Sequence, residues 1–227
     1  MKKIRMIEID GCDAVGKTTQ LNELKKEIKL KGFNIYETRL LGGDKNCEYQ
    51  NAFRTILLHD KFPKDSVELE EMMFAETDLA GIKDVFEHLN KDSNIFCTKD
   101  RALASHVVYA LAKGMSIDQV AKVHHEVIRQ EQLLNREFGS VHIILIPDSV
   151  EWLMKRLQNR FVNEGVEIVE RLESVAVQER VVAGLKMFKD MQFANGLNIE
   201  IIEIAEKDTI LDVKSKIMKV INSKYTF

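Results

Sequence analysis

The sequence has almost no proline: two residues in 227. Its eleven glycines gather into no proline-, glycine- or serine-rich linker, and no internal repeat or low-complexity tract breaks the chain. A single domain over residues 1–227 is therefore expected. The three cysteines, Cys12, Cys47 and Cys97, are far apart and odd in number. That excludes a disulfide framework and a CxxC metal site, and fits a reducing compartment. No run approaches the roughly 18 consecutive apolar residues of a membrane span. The opening MKKIRMIEID alternates charged and apolar residues and lacks the apolar core of a signal peptide. A cytoplasmic protein with no membrane association is the expectation. Basic residues are not in excess either: 33 Lys and Arg against 36 Asp and Glu give a formal net charge of -3. Nucleic acid is not an expected partner.

What is present is an alternation. Residues Ile4 to Ile9, Phe33 to Thr38, Asn94 to Thr98, Val141 to Ile146 and Ile199 to Ile204 are short, apolar and rich in β-branched side chains, and predict strands. Leu21, Leu24 and Ile28 share one helical face, closed by Gly32. Residues 47–59, 66–90, 117–138, 149–161, 172–193 and 208–222 also predict helices. Strands alternating with helices imply an α/β fold, a parallel sheet covered on both faces. Ligands in such folds sit outside the carboxyl ends of the strands.

One stretch lies at such an end. GCDAVGKT, residues 11–18, fits G-x-x-x-x-G-K-[ST]. Gly11 and Gly16 let the backbone curl so that successive N–H groups converge, and the following helix adds its positive dipole end. Gly11, Cys12, Asp13, Ala14, Val15, Gly16, Lys17, Thr18 and Thr19 are the candidate ATP-binding residues. Lys17 can reach the β- and γ-phosphates, and the Thr18 hydroxyl can bind Mg²⁺. A second strand ends at Asp100 and Arg101, an acid and a guanidinium suited to organising metal and clamping phosphate. These features alone leave a kinase, a switch GTPase and a motor ATPase open. No guanine-reading NKxD sequence is present, which counts against a GTPase.

The ordered set of motifs is more specific. DGCDAVGKTTQ (10–20), TRLLGG (38–43), MMFAETD (72–78), DRALASHVVYA (100–110), ERLE (170–173) and ERVVAGL (179–185) follow one another from about residue 4 to residue 218. In this order and spacing the chain resembles the thymidylate kinases, P-loop nucleoside monophosphate kinases. The resemblance implies a P-loop NTPase fold: a three-layer α/β/α sandwich with a five-stranded parallel sheet and a short lid near residues 157–171. It implies ATP as phosphoryl donor, Mg²⁺, a deoxynucleoside monophosphate as acceptor and a homodimer. Asp13 would lie near the acceptor's 3′-hydroxyl and the catalytic centre, and Arg39 and Arg101 would face its phosphate. Asp100 would organise metal, water and phosphate together with Thr18. Phe74 would stack on the base, Tyr109 would crowd the sugar 2′ position, and Ser105 and His106 would line the base or sugar pocket. Position 14 is alanine rather than the arginine some members carry. The transferred charge would then be met by Arg156, Arg160 and Arg171 in or beside the lid.

The pattern departs from the family's in four places. Leu40 and Leu41 replace an acid and a proline, Ala102 a tyrosine and Ala110 a glutamine. Asp78 replaces an arginine that donates to a thymine carbonyl. An ionised aspartate only accepts. Asp78 would therefore favour a base bearing an amino group, unless it faces solvent and Glu76 or Thr77 serves the base. Two rival functions remain: a deoxynucleoside kinase acting on a 5′-hydroxyl, and a silent nucleotide-binding regulatory relative. The pair Arg39 and Arg101 favours an acceptor already phosphorylated, and retention of Lys17 and Arg101 disfavours a silent relative. The run His124-His125-Glu126 reads as helix surface, because zinc histidines on a helix stand one turn apart. Cys12 and Trp152 read as packing residues.

Overall fold

The computed structural model describes residues 1–39, 52, 66–164 and 174–227, and only the backbone of Arg39 and of residues 160–164. The strands in chain order are β1 (Lys2–Lys3), β2 (Met6–Gly11), β3 (Asn34–Arg39), β4 (Ile95–Asp100), β5 (Ser140–Pro147), β6 (Ile199–Ile204) and β7 (Tyr225–Thr226). Five of them form one parallel sheet in the order β3-β4-β2-β5-β6. β1 and β7 pair separately and tie the two chain ends together. The five-stranded parallel sheet matches the sequence-based expectation. Each strand lies within two residues of its predicted limits, and β6 matches throughout.

The helices are α1 (Lys17–Leu30), α2 (Val67–Lys91), α3 (Leu103–Ala112), α4 (Ile117–Val123), α5 (His125–Phe138), α6 (Val150–Glu164), α7 (Val175–Met187) and α8 (Ile210–Lys224). α1 and α8 cover one face of the sheet, and α2, α3, α5 and α7 the other. The middle strands β2 and β5 are buried along their whole length. β5 accordingly reads as a nearly unbroken apolar run, whereas β2 buries Glu8 and Asp10 among its apolar residues. The register places Gly11 beside Leu145, and Asp100 beside both Ile9 and Arg39. The glycine loop, Asp100 and Arg39 thus share one carboxyl edge.

Three expectations need correction. The long helix over 117–138 is broken at His124 (φ -97, ψ 10), and α4 starts from a capping box of Ser116 and Gln119. The helix over 172–193 ends at Met187 and continues as two 3₁₀ turns, Phe188–Asp190 and Gln192–Ala194. α3 was not expected at all, since its N-cap is Ala102, which offers no side-chain acceptor. The missing cap comes from another strand: Asp10 Oδ1 accepts from the backbone N–H of Ala102 (2.9 Å) and Ser105 (3.1 Å). The expected helix over 47–59 falls, but for Ala52, outside the described residues.

Candidate active site

The glycine loop is shaped by backbone that few side chains tolerate. Gly11 (φ 147), Ala14 (φ 59) and Gly16 (φ 100) all have positive φ. A Cβ on Gly11 would lie 2.6 Å from the Leu145 carbonyl oxygen, so no larger residue fits. α1 begins at Lys17 with no acidic residue in its first turn, which leaves its positive end uncompensated. Lys17 Nζ is folded back on the loop and donates to the Cys12 carbonyl at 2.6 Å. Burial, helped by the nearby Arg101, pulls the Lys17 pKa down to about 8 against the opposing pull of Asp13 and Asp100. Cys12 is fully buried, and burial pushes its thiol up to about 12, so it packs rather than reacts. Thr18 Oγ1 donates to Asp100 Oδ2 at 2.5 Å, joining the loop to the end of β4.

Arg101 follows Asp100 with φ 67, a left-handed conformation held by its N–H donating to the Ile9 carbonyl at 2.9 Å. Its guanidinium pairs with Asp13 in the glycine loop and lies 5.4 Å from the centre of the Tyr109 ring. The Tyr109 hydroxyl donates to the other Asp13 oxygen at 3.1 Å. Burial raises the Tyr109 pKa, so the phenol stays a donor. Asp13, Arg101 and Tyr109 thus form one cluster facing Lys17 and Thr18 across the loop. Ser105 lies behind it, its hydroxyl donating to Asp10 Oδ1 at 2.5 Å.

Asp78 does not face solvent. It is 3% exposed, and its Oδ1 pairs with Lys99 Nζ at 2.8 Å while its Oδ2 lies 3.1 Å from His106 Nε2. Burial alone would raise its pKa, but Lys99 and then His106 outweigh that and hold it low. Thr77 is buried too, and its hydroxyl donates to its own helix at the Met73 carbonyl, 2.8 Å away. Lys99 also pairs with Glu131 of α5 at 2.7 Å. Lys99, Glu8 and His142 sit at one register across β4, β2 and β5, forming a buried polar row under α2 and α5. Burial, then Glu131, raises the Glu8 pKa, and burial lowers that of His142. Phe74 is half-buried, with its ring edge-on to His106 at 6.2 Å and Lys113 Nζ 5.1 Å above it. His124 is wholly buried and its Nε2 donates to the Glu71 carboxylate at 3.2 Å, whereas His125 is exposed. The surface reading of that histidine pair holds only for its second member.

Sequence reasoning missed this interior network, although Lys99 was a signal: a lysine inside an otherwise apolar strand needs a buried acid. The backbone of Arg39 ends β3 next to Asp100. Arg156 is exposed on α6 with its guanidinium 5.4 Å from the Trp152 ring centre. α6 runs to Glu164, past its expected end at Phe161, and carries Arg160; Arg171 and the rest of the expected lid lie outside the described residues.

The family model described as "Thymidylate kinase" matches residues 9–217. The chain belongs to the thymidylate kinase family. A thymidylate kinase of Caldicellulosiruptor saccharolyticus is 26% identical over 97% of this chain and 97% of its own length. A probable thymidylate kinase of Pyrococcus abyssi is 23% identical over 93% and 97%. Among solved structures, a thymidylate kinase of Candida albicans, described as having broad substrate specificity, superimposes with a TM-score of 0.64 at 17% identity. It covers 97% of this chain and 92% of its own, and it shows the fold. As a family member the protein is a transferase of the nucleoside monophosphate kinase class with ATP as phosphoryl donor. Neither the deoxynucleoside kinase nor the silent regulatory relative is favoured. No helix among the described residues is long and apolar enough to cross a membrane.

Proposed function

We propose that this protein transfers the γ-phosphoryl group of ATP to a deoxynucleoside 5′-monophosphate, dTMP or a close relative, giving ADP and the diphosphate. The observation that carries the reading is the opposition of two phosphate-binding clusters on one sheet edge: the loop with Lys17 and Thr18, and the Asp13–Arg101–Tyr109 group. Residues Gly11 to Thr19 hold the ATP phosphates through main-chain N–H groups. Lys17 leaves the Cys12 carbonyl for the β- and γ-oxygens. Arg101, together with Arg39, whose backbone ends β3 next to Asp100, receives the acceptor phosphate, and Asp13 keeps the Arg101 guanidinium aimed until that phosphate arrives. The attacking oxygen belongs to a phosphate already ionised at neutral pH, so no general base is required. Catalysis is positioning plus positive charge, and Arg156 and Arg160 of α6 supply the charge from the lid side.

The Thr18 hydroxyl and Asp100 carboxylate are hard oxygen donors already within 2.5 Å of each other, a pair suited to Mg²⁺. Bound there, Mg²⁺ neutralises charge developing on the phosphates. Phe74 stacks on the base and Tyr109 borders the sugar. Asp78, Ser105 and His106 are engaged inside the protein and support that wall from behind. An amino group on the base is then no requirement. A single domain, a homodimer and a cytoplasmic setting complete the reading. Its test is ADP release with Mg²⁺ across deoxynucleoside and nucleoside 5′-monophosphates and the free nucleosides. Turnover with dTMP or a sibling monophosphate is expected. Turnover with nucleosides alone would replace it with the 5′-hydroxyl kinase.

A further inference from the structure

Behind the acceptor wall, side chains from three parts of the fold converge. Glu71 and Asp78 stand seven residues apart on one face of α2, His106 comes from α3, and His124 from the break between α4 and α5. All four are at most 3% exposed. Ligand atoms of Glu71, His106 and His124 lie within 4.8 Å of one another. His124 Nε2 is 3.2 Å from Glu71 Oε2, and His106 Nε2 is 3.1 Å from Asp78 Oδ2. A tetrahedral zinc ion with bonds of about 2.0–2.1 Å separates its ligands by about 3.3 Å, close to the His124–Glu71 spacing. His124 Nδ1 makes no hydrogen bond despite complete burial, which polar atoms rarely tolerate.

Two further features suit a metal. The Glu71 carboxylate has its other oxygen, Oε1, held by Lys113 at 2.9 Å. Outer partners of this kind aim a carboxylate at an ion. The charges also lean negative. Among the described residues the buried carboxylates of Glu71, Asp78 and Glu131 share two ammonium groups, Lys99 and Lys113, and Lys113 also pairs with the partly exposed Glu70. A cation adds positive charge where an uncompensated buried carboxylate is costly.

We propose that Glu71, His106 and His124 bind a divalent transition-metal ion, Zn²⁺ by ligand type, that locks α2, α3 and the α4–α5 junction together. Two imidazoles and one carboxylate suit zinc rather than magnesium or calcium, and Asp78, paired with His106 and Lys99, lies beside the site. Phe74 follows Glu71 by three residues on α2 and meets the His106 ring, so the ion fixes the proposed base wall. The site stands apart from the Mg²⁺ position at Thr18 and Asp100 and does not depend on the kinase reading.

The test uses the full chain, stripped with chelator and titrated with Zn²⁺ against a chromophoric competitor, then with Co²⁺. One Zn²⁺ per chain is expected, with a tetrahedral Co²⁺ absorption band. His124→Gln and His106→Gln should each weaken binding roughly a hundredfold or more, and Lys113→Met about tenfold. Where a variant fails to fold, anomalous scattering at the zinc edge from wild-type crystals locates the ion between α2 and His124. No Zn²⁺ uptake by folded wild-type protein, an octahedral Co²⁺ band, or an ion located elsewhere would overturn the proposal.

Discussion

Lys17 is held in the free protein at a cost. Burial brings its pKa down to about 8, and its ammonium rests on a carbonyl of its own loop. Anionic phosphates favour the charged form, so bound ATP raises that pKa again. Below pH 8 the side chain is charged in both states, and its protonation contributes no pH dependence to binding. Between about 8 and the ordinary lysine value of 10.5, binding takes up a proton and affinity falls as pH rises. Calorimetric titration with ATP in buffers of different ionisation enthalpy should show almost no proton uptake at about pH 7 and nearly one proton at about pH 9. Absence of uptake at the higher pH would contradict the assignment. Lys99 makes a second residue-scale prediction. Lys99→Met leaves Asp78 and Glu131 without their cation and should cost about 3–5 kcal/mol in chemical denaturation. Adding Asp78→Asn and Glu131→Gln should recover most of the loss, because neutral groups of the same shape carry no uncompensated charge. If the single variant is as stable as wild type, the ion pairs are not what holds this part of the interior.

Among the elements, α3 depends most visibly on another part of the chain. It starts at an alanine, and Asp10 at the end of β2 supplies the cap. Asp10→Ala should loosen the first turn of α3 and with it the placement of Arg101 and Tyr109. A loss of about 1–2 kcal/mol in stability is expected. The KM for the acceptor should rise more than the KM for ATP; an equal rise in both would argue against a role confined to α3. The same helix shows what sequence makes legible. The strands were readable because they are short and rich in β-branched apolar residues, with β5 nearly unbroken, and the glycine loop because Gly11 and Gly16 satisfy a backbone requirement local to the sequence. α3 was not, since its cap lies about ninety residues away in the chain. Asp78 was misplaced for a related reason: its partner Lys99 is on β4, and nothing near position 78 announces it. The His124 break was hidden because an amphipathic pattern continues across it, while the inward turn is set by Glu71 on another helix.

At the scale of the molecule, the sheet order brings β4 between β3 and β2, so Arg39, Asp100, Arg101 and the glycine loop fall on one edge. The face covered by α2, α3 and α5 carries the buried charged network, and the half-buried Phe74 lies against it. Nucleotide chemistry is thereby set on the rim, over an interior that the ion pairs hold in one arrangement. The whole account rests on two anions meeting across that rim. The most direct measurement follows label from [γ-³²P]ATP with Mg²⁺ and dTMP or a sibling deoxynucleoside monophosphate. The account predicts label in the nucleoside diphosphate and a fall in that transfer of about a thousandfold or more for both Lys17→Met and Arg101→Met. Label released only as inorganic phosphate, or transfer that survives either substitution, would contradict it.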